Sequence, residues 1–190
     1  MCFNRISQNF ILPILLLMLS LNSCSSNEAA LQNAKKLSLK TETSDDFKKD
    51  LDKMFAHYSK LTLAMVNQDI EQIRKTAQPF LMHMSAIDIN LLNDQQQLDW
   101  NLKSEMIVFS LEEIKQYDQL PEIRTNYKDL SETMIEALKD FGISAGNAYI
   151  FHCPKAMDGK GAMWVSLQTE LDNPYGSKNC GTITEHITIE

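Results

Sequence analysis

The chain has 190 residues, of which 44% are hydrophobic and 23% are charged, and its formal net charge is −7. An acidic balance argues against nucleic acid and against anionic lipid headgroups as partners, because both recruit clustered Lys and Arg. The length suits one domain, or one domain with a tether.

The N-terminus has the pattern of an export signal. Arg5 precedes an apolar run over residues 10–21, which leads to the sequence Leu-Asn-Ser-Cys ending at Cys24. The run is too short for a membrane-spanning helix. The ending resembles the lipobox of bacterial lipoproteins, in which the cysteine receives a diacylglycerol and becomes the new N-terminus. The resemblance implies a signal peptide at residues 1–23 and lipidation of Cys24, and Ser25 in place of an aspartate implies the outer membrane, at its periplasmic face.

The mature chain divides into a tether and a domain. Residues 24–43 are polar and carry no sustained apolar period, so we interpret them as a lipidated tether. A single helical-bundle domain with a C-terminal β tail is predicted over residues 44–190. Its first helix is predicted to begin at the N-cap Ser44. The apolar stripe of this helix contains Phe47, Leu51, Met54, Tyr58, Leu61 and Met65.

Three further amphipathic segments follow. The second helix is capped by Asp69, and Pro79 is predicted to kink or split it. The fourth begins at Pro121 and ends at Gly142. The predicted inward faces are Ile70, Ile73, Ala77, Leu81, Met84 and Ile87 in helix two; Leu98, Leu102, Met106, Phe109 and Ile114 in helix three; and Ile123, Tyr127, Leu130, Met134, Leu138 and Phe141 in helix four.

Short connections between these helices favour antiparallel neighbours. After Gly142 the pattern changes to short alternating runs at residues 149–151, 163–167 and 182–189, with turn residues between 154 and 161. The predicted fold class is therefore mainly α, an up-and-down four-helix bundle with a small C-terminal antiparallel β tail.

Two cysteines, Cys153 and Cys180, remain after the signal peptide is removed and Cys24 is lipidated. In an oxidising compartment such a pair is first interpreted as a disulfide, here closing a loop of 28 residues. Metal-bound thiolates and free thiols are the alternatives. Trp164 and Tyr175 are expected to pack the tail onto the helices, and Arg124 can pair with a carboxylate inside the bundle.

The C-terminal tail contains four short sequence motifs between residues 152 and 181. His-Cys-Pro-Lys-Ala-Met over residues 152–157 is followed by Gly-Ala-Met-Trp at 161–164, Asn-Pro-Tyr-Gly at 173–176 and Cys-Gly at 180–181. This tail resembles a domain family of unknown function, found alone in exported bacterial lipoproteins and fused to periplasmic adaptors of heavy-metal efflux pumps. Trp100 fits a family tryptophan, and Arg124, Tyr127, Leu130 and Ser131 fit an Arg-x-x-aromatic-x-x-Leu-Ser signature.

The resemblance implies a role in soft-metal handling, for example of copper, or docking to an envelope efflux or adaptor protein. Soft ions select sulfur and imidazole ligands. The candidate ligands are His152, Cys153, Met157, Met163 and Cys180. Lys155 stands where the family has methionine, and a family histidine before Trp100 has no counterpart, so the expected ligand set is reduced.

The sequence has no nucleophile elbow, no His-Glu-x-x-His and no phosphate loop, so no enzymatic activity is expected. The first hypothesis is a non-catalytic envelope lipoprotein, attached to the membrane by its lipid, with a metal-handling or docking role. The alternative is a purely structural or interaction lipoprotein with a disulfide-stapled tail and no ligand. A large exposed apolar patch together with no response to metal ions would favour the alternative.

Overall fold

The computed structural model describes residues 31–39, 41–177 and 179–189. The predicted signal peptide and Cys24 lie outside these residues. The described chain is mainly helical with one small mixed sheet. Its elements are strand β1 (Lys35–Leu39), helices α1 (Asp45–Asn67), α2 (Ile70–Met84), α3 (Asp94–Gln116) and α4 (Leu120–Phe141), and strands β2 (Gly146–Cys153), β3 (Ala162–Ser166) and β4 (Thr182–Ile189).

The helices begin and end where local sequence signals place them. The side chain of Ser44 accepts from the Phe47 amide at the start of α1, and the Asp69 side chain caps α2 by accepting from the Gln72 amide. A capping box formed by Asn93 and Gln96 starts α3. Helix α4 has a proline in its first turn, and Gly142 is its C-cap residue.

Helix α2 runs without a break through Pro79. Of the two predicted outcomes, a kink or a split, the split is therefore wrong. Proline removes one backbone donor and crowds the preceding turn, and packing of Ile73, Ala77 and Phe80 in the core holds the helix together across it.

Consecutive helices pack against each other, α1 on α2, α2 on α3 and α3 on α4. An aromatic cluster joins three of them. The Phe47 ring lies 5.1 Å from the Trp100 ring and 5.6 Å from the Phe141 ring, and Trp100 and Phe141 are 5.5 Å apart. Edge and tilted contacts of this kind add to the burial of large aromatic side chains. The cluster fixes the start of α1 and the start of α3 against the end of α4.

Helix α3 presents the opposite face to the one predicted. Trp100, Ile107 and Leu111 are buried, together with Ile114, the one member of the predicted stripe that is inside. The other four are exposed, with 61% of Leu98, 68% of Leu102, 45% of Met106 and 55% of Phe109 accessible.

The sheet has the strand order β1-β4-β2-β3. Strand β2 pairs antiparallel with β3 and β4, and β1 pairs in parallel with β4, with Leu37 opposite Ile187. The sheet is therefore mixed rather than antiparallel throughout. Its β3 strand packs on α4, and Lys139 of α4 forms an ion pair with Glu185 of β4 at 2.9 Å.

Strand β1 lies inside the segment interpreted as a tether. Its sequence is Lys-Lys-Leu-Ser-Leu, in which Leu37 and Leu39 are half-buried and the lysines are exposed. A five-residue strand with two leucines gives only a weak alternating pattern in the sequence. The charged lysines protect this edge of the sheet from pairing with a further strand. The tether prediction is wrong for residues 35–39, which belong to the folded unit.

Candidate functional site

The two tail cysteines form a disulfide. Cys153 at the end of β2 is bonded to Cys180 in the loop before β4, with a Cα–Cα distance of 5.2 Å. Cys153 is fully buried. The disulfide consumes both thiolates, so the predicted soft-ligand set is reduced to His152, Met157 and Met163.

Of these three residues, His152 and Met163 face each other. They occupy opposite positions in the antiparallel pairing of β2 with β3, and both are half-buried. Directly paired residues of this kind have Cβ atoms about 4.5–5.5 Å apart. Met157 lies in the turn between the two strands, in a left-handed conformation with φ of 53°. The hairpin thus provides one imidazole and one thioether on a common face.

Gly161 makes room for the His152 ring. A Cβ atom added at this glycine would lie 2.9 Å from Nε2 of His152, and the backbone φ of +81° is one that glycine adopts readily. The Gly-Ala-Met-Trp part of the tail motif therefore positions His152 beside the start of β3.

The Asn-Pro-Tyr-Gly segment has a structural role. The buried side chain of Asn173 accepts from the Tyr175 amide at 2.7 Å and donates to the Cys180 carbonyl. The Tyr175 hydroxyl donates to the Met163 carbonyl at 3.0 Å. These bonds connect the loop, the disulfide and β3. As expected, Trp164 and Tyr175 are buried, and Tyr175 contacts Tyr127 of α4 with ring centroids 5.7 Å apart.

Two of the signature residues, Tyr127 and Ser131, belong to a hydroxyl network between α1 and α4. The Tyr58 hydroxyl lies 2.8 Å from Oγ of Ser131, and the Tyr127 hydroxyl donates to Tyr58 at 3.1 Å and lies 2.7 Å from Oγ1 of Thr62. Burial raises the pKa of Tyr127 well above its ordinary value. These hydroxyls therefore remain protonated at neutral pH and act as hydrogen-bonding groups between α1 and α4.

The exposed face of α3 is a feature that the sequence interpretation missed. Leu98, Leu102, Met106 and Phe109 form what we call the α3 stripe, and each is at least 45% accessible. Single exposed apolar residues are ordinary, but four aligned along one helix are typical of an interaction surface.

The α3 stripe has an acidic border. Asp99, Glu105 and Glu112 are exposed on the same helix. Its two lysines are engaged elsewhere, because Lys103 pairs with Asp140 at 2.8 Å and Lys115 donates to the side chain of Gln78. The exposed side chains of Asp99, Glu105 and Glu112 therefore give the border of the stripe on this helix a negative charge.

Two further observations concern metal-ligand clusters and membrane-spanning helices. Across residues 31–39, 41–177 and 179–189, no three or more His, Cys, Asp or Glu side chains are grouped so that they could hold a metal ion. Within the same residues, no helix has both the length and the apolar character required to cross a membrane.

Residues 54–146 match the model of a family described as "Protein of unknown function (DUF3347)". The matched segment is just under half of the chain and extends from α1 to the start of β2. The match supports assignment to a family of unknown function, while the cysteine-containing tail lies beyond the matched segment. No curated protein and no solved structure matches the chain.

Proposed function

We propose that the protein is a non-catalytic lipoprotein of the bacterial outer membrane that docks to an envelope protein through the α3 stripe. The observation that carries this proposal is the exposure of Leu98, Leu102, Met106 and Phe109 on a helix whose other face is fully packed. Burying such side chains on association is favourable by about 25 cal/mol per Å² of apolar area.

The acidic border specifies the chemistry of the partner. Charge complementarity across an interface favours correct pairing and raises the association rate. Exposed Asp99, Glu105 and Glu112 therefore fit an apolar partner surface flanked by Lys or Arg. A second copy of this chain would bring a similar acidic border to the interface, so like charges disfavour self-association.

The N-terminal sequence supports the proposed location. The lipobox-like ending at Cys24 supports a lipid anchor at the outer membrane. We also propose that the four long helices form an up-and-down bundle, with the short links between them reversing the chain. Strand β1 begins 11 residues after Cys24, so the folded unit would lie close to the membrane surface.

The docking proposal is tested with two amphipathic peptides that share one leucine face and carry either lysine or glutamate at its borders. We expect the lysine peptide to bind the purified full-length chain in non-ionic detergent, and the glutamate peptide to bind at least about 10-fold more weakly. Fluorescence anisotropy of labelled peptide measures both affinities. Binding of the lysine peptide should weaken as salt concentration rises.

Two variants locate the binding surface. Leu102→Ser in the α3 stripe should weaken binding of the lysine peptide by about 10-fold or more. Leu63→Ser, which changes a leucine of α1 that is 56% exposed, should leave binding unchanged. Equal binding of both peptides, equal effects of both variants, or self-association of the chain that Leu102→Ser abolishes would contradict the proposal.

A second candidate function is soft-metal handling, supported by the pairing of His152 with Met163 across the β2–β3 hairpin. Imidazole and thioether ligands suit monovalent copper. We expect added monovalent copper to raise the melting temperature, with His152→Gln and Met163→Leu each removing the increase. Met106→Leu, on α3, is the matched control. The absence of a shift with both monovalent copper and zinc would exclude this function and leave the docking proposal untouched.

A further inference from the structure

A polar cleft lies between the start of α4 and the C-terminal loops. It has a volume of about 370 Å³ and is lined by three cationic side chains, those of Arg124, Lys155 and Lys160. Among the described residues that line it, Asp158 is the acidic one. Three cations against one carboxylate give a locally positive cleft in a chain whose net charge is −7.

The half-buried Arg124 has one N–H donor, at Nε, that lacks a hydrogen-bond partner. Its Nε atom is screened from solvent and has no hydrogen-bond partner among the described residues. None of the ion pairs within the described chain includes Arg124, so it does not pair with a carboxylate of the bundle. Desolvation lowers the pKa of its guanidinium. A buried polar group left unsatisfied in this way is commonly the position of a ligand, a water or an ion.

The loop at Gly176 passes close to the Arg124 guanidinium. A Cβ atom at Gly176 would lie 2.5 Å from Nη2 and 3.0 Å from Cζ of Arg124, and the backbone φ of +88° at this position favours glycine. The loop itself is fixed, because Asn173 accepts from the Tyr175 amide and the Tyr175 hydroxyl donates to the Met163 carbonyl. The Arg124 guanidinium thus lies next to a fixed backbone segment at the edge of the cleft.

The other residues that line the cleft contribute two flexible lysine side chains and a hydroxyl group. Lys155 and Lys160 are exposed and flank the turn at residues 156–159, so their flexible side chains can close over a bound group. Ser177 contributes a hydroxyl. A planar guanidinium presents a fork of N–H donors that matches the oxygens of an anion, and lysines add point charge.

We propose that this cleft binds a phosphate group, either as free phosphate or as the phosphomonoester of a small molecule, with Arg124 as the anchoring residue. A phosphomonoester carries a charge of about −1.5 to −2 at neutral pH, which complements three cations opposed by one carboxylate. The volume falls within the range of about 300–1,000 Å³ typical of small-molecule sites. The site is separate from the α3 stripe and does not depend on the docking proposal.

The test is calorimetric titration of the purified full-length chain in non-ionic detergent with inorganic phosphate, glycerol phosphate and succinate. We expect saturable binding of phosphate, with succinate at least about 10-fold weaker. Glycerol phosphate binding more tightly than phosphate would support an organic ester as the ligand, and equal affinity would support free phosphate. Failure of both phosphates to bind, or succinate binding as tightly as phosphate, would overturn the proposal.

Variants connect the binding to the cleft. Arg124→Gln should weaken phosphate binding by about 10-fold or more, since it removes the charged fork. Arg74→Gln is the matched control, because the Arg74 guanidinium already donates to the carbonyls of Lys115 and Tyr117. The phosphate affinity of this variant should equal that of the wild-type chain. If Arg124→Gln fails to fold, the exposed pair Lys155→Met and Lys160→Met replaces it, and unchanged phosphate binding in that double variant would contradict the proposal.

Discussion

Cys153 and Cys180 connect the end of β2 to the loop that precedes β4. The bond joins residues with a sequence separation of 27 and so lowers the conformational entropy of the unfolded chain. In the loop-entropy model this contributes about 3 to 4 kcal/mol to the free energy of unfolding. The pairing could be predicted from cysteine number and compartment alone. The environments of Arg124 and His152 could not, because each depends on a glycine that the fold brings beside the side chain, Gly176 for Arg124 and Gly161 for His152.

The disulfide makes a quantitative prediction. The double variant Cys153→Ala with Cys180→Ala should lose about 3 to 4 kcal/mol of unfolding free energy in urea titration. Wild-type protein kept under a thiol reductant should lose a similar amount. A loss below about 1 kcal/mol in both samples would show that the bond does not constrain the unfolded chain.

His57 gives a pH dependence with a defined sign. Desolvation, followed by the proximity of His83 and Lys60, lowers its pKa from the ordinary value of 6.5. The folded state therefore binds this proton less readily than the unfolded state, so the fold loses stability as pH falls below about 6.5 towards the lowered value. We expect wild-type unfolding free energy to fall more than that of His57→Gln between about pH 7.5 and about pH 5.

Urea titrations of the two proteins across this pH range isolate the contribution of His57, because the other titrating groups are common to both. The ring of His57 lies 5.5 Å from that of His83 and 6.0 Å from that of Phe80. A wild-type profile that is flatter than the His57→Gln profile would contradict the assigned direction.

At the scale of elements, three of the four long helices bury the faces that their apolar periodicity predicts. The stripes of α1 and α4 are buried, and α2 buries Ile73, Ala77 and Met84 of its predicted face together with Phe80. Helix α3 differs because apolar residues lie on two opposite faces. One contains Leu98, Leu102, Met106 and Phe109, and the other contains Trp100, Ile107, Leu111 and Ile114.

Periodicity alone cannot choose between two such faces, since both repeat at helical spacing. The choice depends on shape and on partners far along the chain. Trp100 packs edge-on against both Phe47 and Phe141, and the exposed residues of the α3 stripe make no such contact. A second apolar face on a packed helix is itself a signal of an interaction surface.

A matched pair of substitutions tests which face is buried. Leu111→Ala, at a fully buried position, should cost about 2 to 5 kcal/mol of unfolding free energy. Leu102→Ala, at a position 68% exposed on the same helix, should change it by no more than about 0.5 kcal/mol. Chemical denaturation measures both. A larger loss of unfolding free energy for Leu102→Ala than for Leu111→Ala would show that α3 buries the face predicted from the sequence.

At the scale of the whole molecule, the fold unites segments that are distant in sequence. Strand β1 precedes all four long helices and pairs with the last strand, β4, and Thr41 donates to the Phe141 carbonyl at 2.8 Å. Sequence patterns predict the mainly helical class and the C-terminal strands. They do not predict β1, because its parallel partner β4 lies about 150 residues further along the chain. Pairing over such a separation leaves no local pattern in a five-residue strand.

The location of the molecule depends on Cys24. We expect wild-type chain expressed with radiolabelled palmitate in a bacterium to incorporate label and to fractionate with the outer membrane. Cys24→Ser should remove the label and release the protein from the membrane fraction. Labelling that persists in Cys24→Ser, or wild-type protein that stays soluble, would contradict the lipid anchor.

The most direct test of the docking account is side-chain methyl NMR of the full-length chain during titration with the lysine-bordered amphipathic peptide. The account predicts that the largest shift changes occur at Leu98, Leu102 and Met106, while the exposed methyl groups of Leu63 and Met82 stay unchanged. Equal changes at all five residues, or changes confined to Leu63 and Met82, would show that the α3 stripe is not a docking surface.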